Sequence, residues 1–207
     1  MTLTELDLRD KLAFKWRPTI MVPRYSPLEP CRVNCSRFLM ASDGLYLEAV
    51  QPWGRVVRRL WESPVPLPYG VVGEVDTFIQ AMQAAGDAIG KAMDEAREYA
   101  REAKEWAGFI FWKEGEGFVY QAAEFDSDEV SVHYRRPQLP EGWHLAIDIH
   151  SHHNMAPFFS EDDDTDDSGG IRISMVLGGL NEQSTEFTWA ARYVVNGFLF
   201  NLPCEED

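Results

Sequence analysis

The sequence predicts a mixed α/β protein of the α+β type, with a small β-rich region at residues 1–70 and a larger domain at residues 71–207. Three observations predict this organisation. A proline-rich segment, Ser63–Gly70, lies where the balance of charge changes. An apolar pattern with the period of an α-helix follows it. Several strand-like runs come next, and one short helix interrupts them, which indicates a mixed α/β domain.

The N-terminal region has the pattern of a small sheet. Two apolar runs flank Ser42-Asp43-Gly44, and Asp-Gly supplies the positive φ that a tight hairpin turn needs. The later run Arg55–Trp61 predicts a third strand. Because proline fixes φ and favours an extended, semi-rigid chain, we place the domain boundary near Gly70, at the end of the proline-rich segment.

Charge limits the classes of partner. The net charge of −15 argues against nucleic acid or an anionic membrane as a partner, since phosphate binding needs basic patches. The charge is also uneven. Residues 1–70 hold 10 Lys or Arg and 7 Asp or Glu, whereas residues 71–207 hold 9 and 27. The acidic domain is therefore expected to prefer a basic or neutral partner.

Composition also bears on the cellular location. No apolar stretch approaches the roughly 18 residues needed to span a bilayer, and the N-terminus lacks the basic-then-apolar pattern of a signal peptide. We therefore expect a soluble, cytoplasmic protein. The three cysteines, an odd number, make no disulfide framework. Cys31 and Cys35 could supply half of a metal site, but no second pair completes it, so ordinary thiols are the favoured interpretation.

The larger domain is predicted to open with helix. Apolar residues recur at three- and four-residue steps over residues 75–104 and give one stripe, whose members are Phe78, Met82, Ala85, Ile89, Met93, Ala96, Ala100 and Ala103. Gly86 and Gly90 weaken the middle, so either two helices or one kinked helix is expected. Strands are then predicted at residues 106–112, 118–123, 129–134, 143–150, 171–180, 186–195 and 198–202. The last two flank Asn196-Gly197, a strong hairpin signal.

Three of the five histidines fall within four residues, at the end of the strand predicted over residues 143–150. His150 and His152 lie two apart, so their side chains leave the same face of a strand and Ser151 points away. Two imidazoles on one face can converge on a single ion. A His-x-His pair alone is a weak signal, because chance or a polar surface loop explains such a pair better than a metal site does.

A short acidic run adds a third potential ligand. Ser160 has the features of a helix N-cap, and acids in the first turn favour the positive end of the helix dipole. Residues three apart on a helix share a face, so Asp163 would lie on the same side as the Ser160 hydroxyl. Asp163 can then be the third ligand. Three protein ligands leave the fourth tetrahedral position open, as in catalytic zinc sites.

The spacing from His150 to Asp163 is His-x-His, seven residues, Ser, two residues and Asp. It resembles the motif of the JAMM metalloproteases, the MPN+ (JAB-domain) family. That family also uses a glutamate where its first long helix meets its first strand, and Glu105, followed by Gly108, takes this position here. The resemblance covers roughly residues 74–200. It implies a JAMM/MPN-like, cytidine-deaminase-like fold, in which helices flank a mixed sheet.

The resemblance also implies a mechanism. One Zn²⁺ per chain would be held by His150, His152 and Asp163, and would lower the pKa of its bound water. Glu105 would hold that water, take its proton and pass the proton to the leaving amine. Ser160 would donate a hydrogen bond to the oxyanion that develops on the scissile carbonyl. The implied reaction is hydrolysis of a peptide or isopeptide bond.

Partners follow from the resemblance alone. In the family the substrate is often a ubiquitin-like protein, which is cleaved after its extended C-terminal tail; another protein substrate is also compatible. More narrowly, the chain resembles the protein A family of the PRTRC (ParB-related, ThiF-related) cassette of bacterial mobile elements. In such a cassette the implied partners are a small ubiquitin-like protein and an E1-like, ThiF-type enzyme.

One position departs from the motif, and two other functions stay open. The family usually has proline after the second histidine, and this chain has His153. On a continuing strand His153 would face away from the ion, whereas a turn in the backbone would let it bind metal or contact substrate. The chain could instead be a non-catalytic MPN-type scaffold or a RadC-like domain. Scaffolds typically lose metal ligands that this chain keeps. RadC-like domains have a Thr-His-Pro sequence around the second histidine, and this chain does not.

Overall fold

We describe a computed structural model of the chain, which covers residues 7–102, 104–123, 125–127, 132–134, 139–152, 154–180 and 188–202. The chain divides into two compact units, Met1–Gln80 and Ala81–Asp207. Across the described residues no helix is both long enough and apolar enough to cross a lipid bilayer. The helices and strands confirm the predicted mixed α+β class.

The first unit is one helix and a five-stranded sheet. Its elements are α1 (Leu8–Trp16), β1 (Thr19–Met21), β2 (Cys35–Ala41), β3 (Gly44–Gln51), β4 (Gly54–Glu62) and β5 (Val75–Asp76). The strands lie in chain order across the sheet, and only β1 and β2 are parallel. The predicted hairpin and third strand are confirmed as β2, β3 and β4. A Cβ atom at Gly44 would lie 2.0 Å from the Trp61 carbonyl oxygen, so this turn requires glycine.

The core of the first unit lies on the face formed by β2, β3 and β4. Its buried members are Val22, Leu39, Ala41, Tyr46 and Val57. Within the same sheet, Glu48 is buried between Arg37 and Arg55, whose guanidinium nitrogens lie 2.5 Å and 2.6 Å from its carboxylate oxygens. β5 follows the boundary predicted near Gly70 and pairs with β4, and the two units divide at Gln80 and Ala81.

The second unit is built on a six-stranded sheet. Its elements are α2 (Phe78–Ala84), which begins in the first unit, α3 (Gly86–Arg101), β6 (Ala107–Lys113), β7 (Gly117–Ala122), β8 (Phe125–Ser127), β9 (Val132–Tyr134), β10 (Trp143–Ser151), α4 (Glu161–Asp166), β11 (Ile171–Gly178), β12 (Thr188–Val195) and β13 (Phe198–Asn201). The strand order is β13-β12-β11-β10-β6-β7, and β8 pairs with β9 separately. Only β10 and β11 are parallel in the large sheet.

The predicted helical segment forms two helices, α2 and α3, with Ala85 between them. α3 packs against β6 and β7. Its buried face consists of Ala88, Ala92, Ala96 and Ala100, one residue every four. Of the predicted stripe, Ile89 and Met93 are half-buried and Ala103 lies outside the described residues; the buried members are Phe78, Met82, Ala85, Ala96 and Ala100. Because alanine side chains are short, the helix backbone can approach the sheet closely.

The parallel pair β10 and β11 sets the position of the site. A parallel connection needs a crossover, and here the chain crosses through the segment that contains α4. The registers place His150 opposite Val176 on β11 and opposite Ala107 on β6. The end of β10 is therefore central in the sheet, between the start of β6 and the end of β11.

Candidate metal centre

His150 and His152 come from the end of β10. His150 lies in the strand, and His152 follows it directly, held by a backbone hydrogen bond of 2.8 Å from its N–H to the Leu177 carbonyl oxygen. The extended conformation therefore continues to His152, and both rings leave the same face. Their Nε2 atoms lie 3.2 Å apart. Both side chains are buried, as expected for groups at the centre of a sheet.

α4 brings the third group. Ser160 is its N-cap, with an extended backbone, and the Ser160 hydroxyl oxygen accepts a hydrogen bond of 3.2 Å from the Asp163 N–H. The Asp163 carboxylate accepts in return from the Ser160 N–H, which completes a capping box. The predicted N-cap is confirmed. The Asp163 side chain therefore folds back over the N-cap of α4, where it also reaches His150 at the end of β10.

The two oxygens of the Asp163 carboxylate have separate contacts. Oδ2 accepts hydrogen bonds of 2.7 Å from both the N–H and the hydroxyl of Ser160. Oδ1 lies 3.2 Å from the Nε2 atom of His150. The Nε2 atom of His152 is 4.0 Å from Oδ2. Ser160 thus orients the carboxylate so that Oδ2 closes the helix cap and Oδ1 faces His150.

The three groups fit a small tetrahedral cation. Among the described residues, His150, His152 and Asp163 form a group whose potential ligand atoms lie within 4.8 Å of one another. Ligands placed about 2.0–2.1 Å from a tetrahedral ion are about 3.3 Å from each other. The two separations of 3.2 Å match this edge, and only the contact between His152 and Asp163 is longer. Two imidazoles and one carboxylate, with no thiolate, suit Zn²⁺.

The charges of the centre are strongly coupled. Burial lowers the pKa of His150, but the hydrogen bond and charge of Asp163 outweigh burial and raise it. The carboxylates of Asp148 and Glu105 add to this rise. Burial and the charge of His150 lower the pKa of His152, which favours the neutral ring that binds metals. Burial raises the pKa of Asp163, but its contacts with His150 outweigh burial and hold it well below its usual range.

Glu105 is buried beside this group. It lies between the end of α3 and the start of β6, and its side chain belongs to a residue that is only 4% exposed. Its carboxylate acts on the pKa of His150, so the two groups are close enough to interact through charge. The structure therefore places the predicted glutamate at the predicted junction and directs it to the interior. A merely solvated acid at a helix end would instead be exposed.

Phe158 and a cavity border the centre. The Phe158 ring meets the His152 ring edge to face, with 4.5 Å between centroids, although Phe158 itself is 48% exposed. A cavity of about 480 Å³ begins at this ring. Its lining residues are Phe158, Phe159, Asp164, Ala190, Ala191, Arg192, Asn201 and Leu202. The centre therefore adjoins a space that combines aromatic and polar walls.

The structure brings together Glu105, His150, His152, Ser160 and Asp163, all of which the sequence motif marked. His153 lies outside the described residues. Cys31 and Cys35 belong to the first unit, where Cys31 is half-buried and Cys35 exposed, both as free thiols.

Sequence reasoning missed a group of buried charged residues behind the centre: Asp148, Asp167, Arg172 and Arg192. Arginine inside an apolar strand pattern is the signal that could have found them, because a buried guanidinium needs a buried carboxylate.

Comparison with protein families gives two matches. Residues 88–192, about half of the chain, match the family described as "Prokaryotic homologs of the JAB domain". Residues 7–78 match the family described as "Domain of unknown function (DUF2016)". The first match contains every residue of the candidate centre, and the second lies within the first unit. No curated protein matches the chain.

Proposed function

Because this chain belongs to the prokaryotic homologs of the JAB domain, we propose that its second unit is a zinc-dependent hydrolase that cleaves a peptide or isopeptide bond. The observation that carries the proposal is the convergence of His150 Nε2, His152 Nε2 and an oxygen of Asp163 on one point. These three side chains would hold the zinc ion. When bound, zinc supplies a Lewis acid that polarises a carbonyl oxygen and lowers the pKa of water.

Glu105 is the proposed general base. A buried carboxylate next to His150 can accept a proton from the attacking water and deliver it to the leaving amine. Burial excludes bulk water from the carboxylate, which strengthens its interaction with any proton donor that enters the site. Glu105 is not one of the three proposed zinc ligands; it lies between α3 and β6.

Ser160 has two proposed roles. Its hydroxyl donates to Asp163 in the structure and so orients the carboxylate. To stabilise an oxyanion on the scissile carbonyl, the hydroxyl must turn away from Asp163 toward that oxygen. A single donor of this kind contributes about 2.7–4 kcal/mol to the transition state. We propose that Ser160 makes the first contact at rest and the second during the reaction.

The proposed substrate is a protein with an extended C-terminal tail, of the ubiquitin-like class. An extended tail can reach a recessed centre, whereas a folded backbone cannot, and it can add a strand to an exposed sheet edge. The half-exposed ring of Phe158 offers an apolar contact for a side chain next to the scissile bond. In a bacterial cassette, a ThiF-type adenylating enzyme is the proposed source of a conjugated substrate.

Metal content and turnover test the proposal. Protein purified without chelator should contain about one zinc ion per chain by elemental analysis. His152→Ala should lose zinc and lose hydrolysis of peptides and ubiquitin-like tails that carry a fluorogenic amide. His144→Ala is the matched control, because His144 is in β10 but its ring faces Trp112 and not the centre.

Two outcomes would overturn the proposal. A wild-type protein that is free of zinc and refuses added zinc has no such centre. A protein that binds zinc but cleaves no tail in a broad panel of ubiquitin-like substrates is better explained as a non-catalytic scaffold.

A further inference from the structure

The short helix α4 depends on contacts outside itself. It has six residues, none of them buried, and its first turn holds four acidic side chains. An isolated helix of this length is unstable in water, and neighbouring carboxylates repel one another. The capping box fixes only its N-terminal end. Something else must fix the rest of the helix, and with it the position of Asp163.

Arg192 on β12 contacts the chain on both sides of Asp163. Its Nε atom donates a hydrogen bond of 2.8 Å to Asp167, the C-cap of α4, and its terminal nitrogen donates one of 2.5 Å to Asp164. Its guanidinium carbon lies 3.8 Å from the centroid of the Phe159 ring, directly before the N-cap. The Arg192 side chain therefore contacts the residue before the N-cap, the middle of α4 and the C-cap of α4.

Asp167 connects this contact to the rest of the sheet. One of its oxygens accepts from Arg192 on β12, and the other accepts from Arg172 on β11. Arg172 also lies 3.5 Å from Asp148, which precedes His150 by two residues on β10. All four residues are almost completely buried. The network thus joins the helix of Asp163 to the strand of His150.

A buried ionic network of this kind contributes more to the arrangement of helices and strands than to the free energy of unfolding. Replacing buried ion pairs with apolar side chains is often neutral or stabilising, so their contribution is frequently to select one arrangement of the elements. Here the arrangement selected is the position of α4 against β11 and β12, the strands that carry Arg172 and Arg192. Both oxygens of Asp167 are occupied, which leaves the helix little freedom to rotate or slide.

We propose that Arg192 is a positioning residue, which sets the place of the Asp163 carboxylate by holding α4 against the sheet. The inference rests on the proposed zinc centre and assigns to it a residue outside the recognised motif. Only arginine suits this position, because its planar fork reaches Asp164 and Asp167 together while its flat face packs on Phe159. Lysine supplies the charge but only a single point of contact.

The test compares Arg192→Met, Arg192→Lys and the wild type. Zinc affinity is measured by competition with a chromophoric chelator, and ligand geometry by the visible absorption of the cobalt(II) form. Both variants should lose about 10-fold to 100-fold in zinc affinity, the usual effect of removing a group that orients a ligand. Their cobalt spectra should also change. Asp167 keeps Arg172 as a partner in both variants, so no unpaired carboxylate is left in the interior.

Arg37→Met is the matched control. Arg37 is also a buried arginine paired with a buried carboxylate, that of Glu48, but it belongs to the first unit. It should lose stability without losing zinc affinity or changing the cobalt spectrum. Asp164→Asn is a milder variant, since the Asp164 side chain is 55% exposed and its loss leaves the pair of Arg192 and Asp167 intact. It should lower zinc affinity in the same direction by a smaller factor.

The outcomes separate this inference from the proposed function. Folded Arg192 variants with the zinc affinity and cobalt spectrum of the wild type overturn the inference and leave the zinc centre standing. If the Arg192 variants do not fold, Asp164→Asn decides, and an unchanged affinity in that variant overturns the inference. A wild-type protein that binds no zinc overturns the proposed centre and this inference with it.

Discussion

Trp106 and Ser151 are joined by two hydrogen bonds. The Trp106 N–H donates to the Ser151 hydroxyl at 2.9 Å, and the Ser151 N–H donates to the Trp106 carbonyl oxygen at 2.8 Å. Trp106 follows Glu105, and Ser151 stands between the two histidines. Ser151, whose side chain points away from the centre, therefore connects the segment of Glu105 to the two histidines. Glu105 lies outside any helix or strand, and the two hydrogen bonds of its neighbour Trp106 explain how its position is fixed.

Glu105→Gln should keep zinc and lose activity. Glutamine has nearly the same shape, so the fold and the zinc content should not change, but its amide cannot accept the proton. Turnover should fall by about 10²–10⁴-fold or more. Elemental analysis beside a peptidase assay measures both effects. Hydrolysis at the normal rate in this variant would remove the general base from the proposed mechanism.

Ser160→Ala should lower zinc affinity as well as turnover. The substitution removes the N-cap, which costs about 1 kcal/mol, and removes one of the two hydrogen bonds that orient Asp163 Oδ2. Chelator competition and steady-state kinetics on the same preparation separate the two effects. A loss of turnover at unchanged zinc affinity would show that Ser160 acts in the transition state alone.

Gly178→Ala should disturb the candidate centre by displacing the backbone between His152 and Ser160. A Cβ atom there would lie 2.4 Å from the Met155 carbonyl oxygen and 2.5 Å from the Pro157 nitrogen, so backbone must move. Met155 and Pro157 belong to the segment between His152 and Ser160. We expect zinc affinity to fall by at least 10-fold, with a lower melting temperature.

Gly90→Ala is the control for that substitution. Gly90 is inside α3, and a Cβ atom there would meet nothing within 4 Å. The change should stabilise the protein by about 0.5–1 kcal/mol and leave zinc affinity unchanged. Thermal unfolding and chelator competition of the two variants make the comparison. Equal zinc affinities in both would mean that the segment over Gly178 does not position the centre.

Removal of residues 1–80 should leave the centre intact. The contacts that bring His150, His152 and Asp163 together are made between residues of the second unit. A chain that starts at Ala81 should therefore bind zinc with the affinity of the full chain and cleave short peptides at a similar rate. If this fragment does not fold, residues 1–80 complete its core, and the proposed separation of the two regions is wrong.

Local signals made much of the fold predictable. Asn196 and Gly197 both adopt positive φ, at 49° and 87°, which is why Asn-Gly marked the hairpin of β12 and β13. Ser160 followed by Asp163 marked the start of α4, since the cap and the carboxylate satisfy each other's backbone groups. Such features depend on a few neighbouring residues, so the sequence alone is sufficient to place them.

Features that depend on distant residues were not predictable. β1 pairs in parallel with β2, and such a pairing has no turn signal because the strands are far apart in the chain. α1 was missed because it buries no residue and so has no apolar stripe to reveal it. In the site, the motif marked the groups that meet at the candidate metal centre. The salt bridges of Arg172 and Arg192 needed the strand order, which no local pattern contains.

The crossover between β10 and β11 has a consequence for folding kinetics. The histidines lie before the crossover, Asp163 lies within it, and Glu105 precedes β6, which pairs with β10 although β7, β8 and β9 lie between them in the chain. Loop closure of this kind is paid for late in folding, after local hairpins have formed. In the proposed centre, zinc would therefore meet its full set of ligands only on a nearly native chain. Zinc binding should slow unfolding of the second unit and leave its folding rate unchanged, because a site completed after the transition state affects only the unfolding rate.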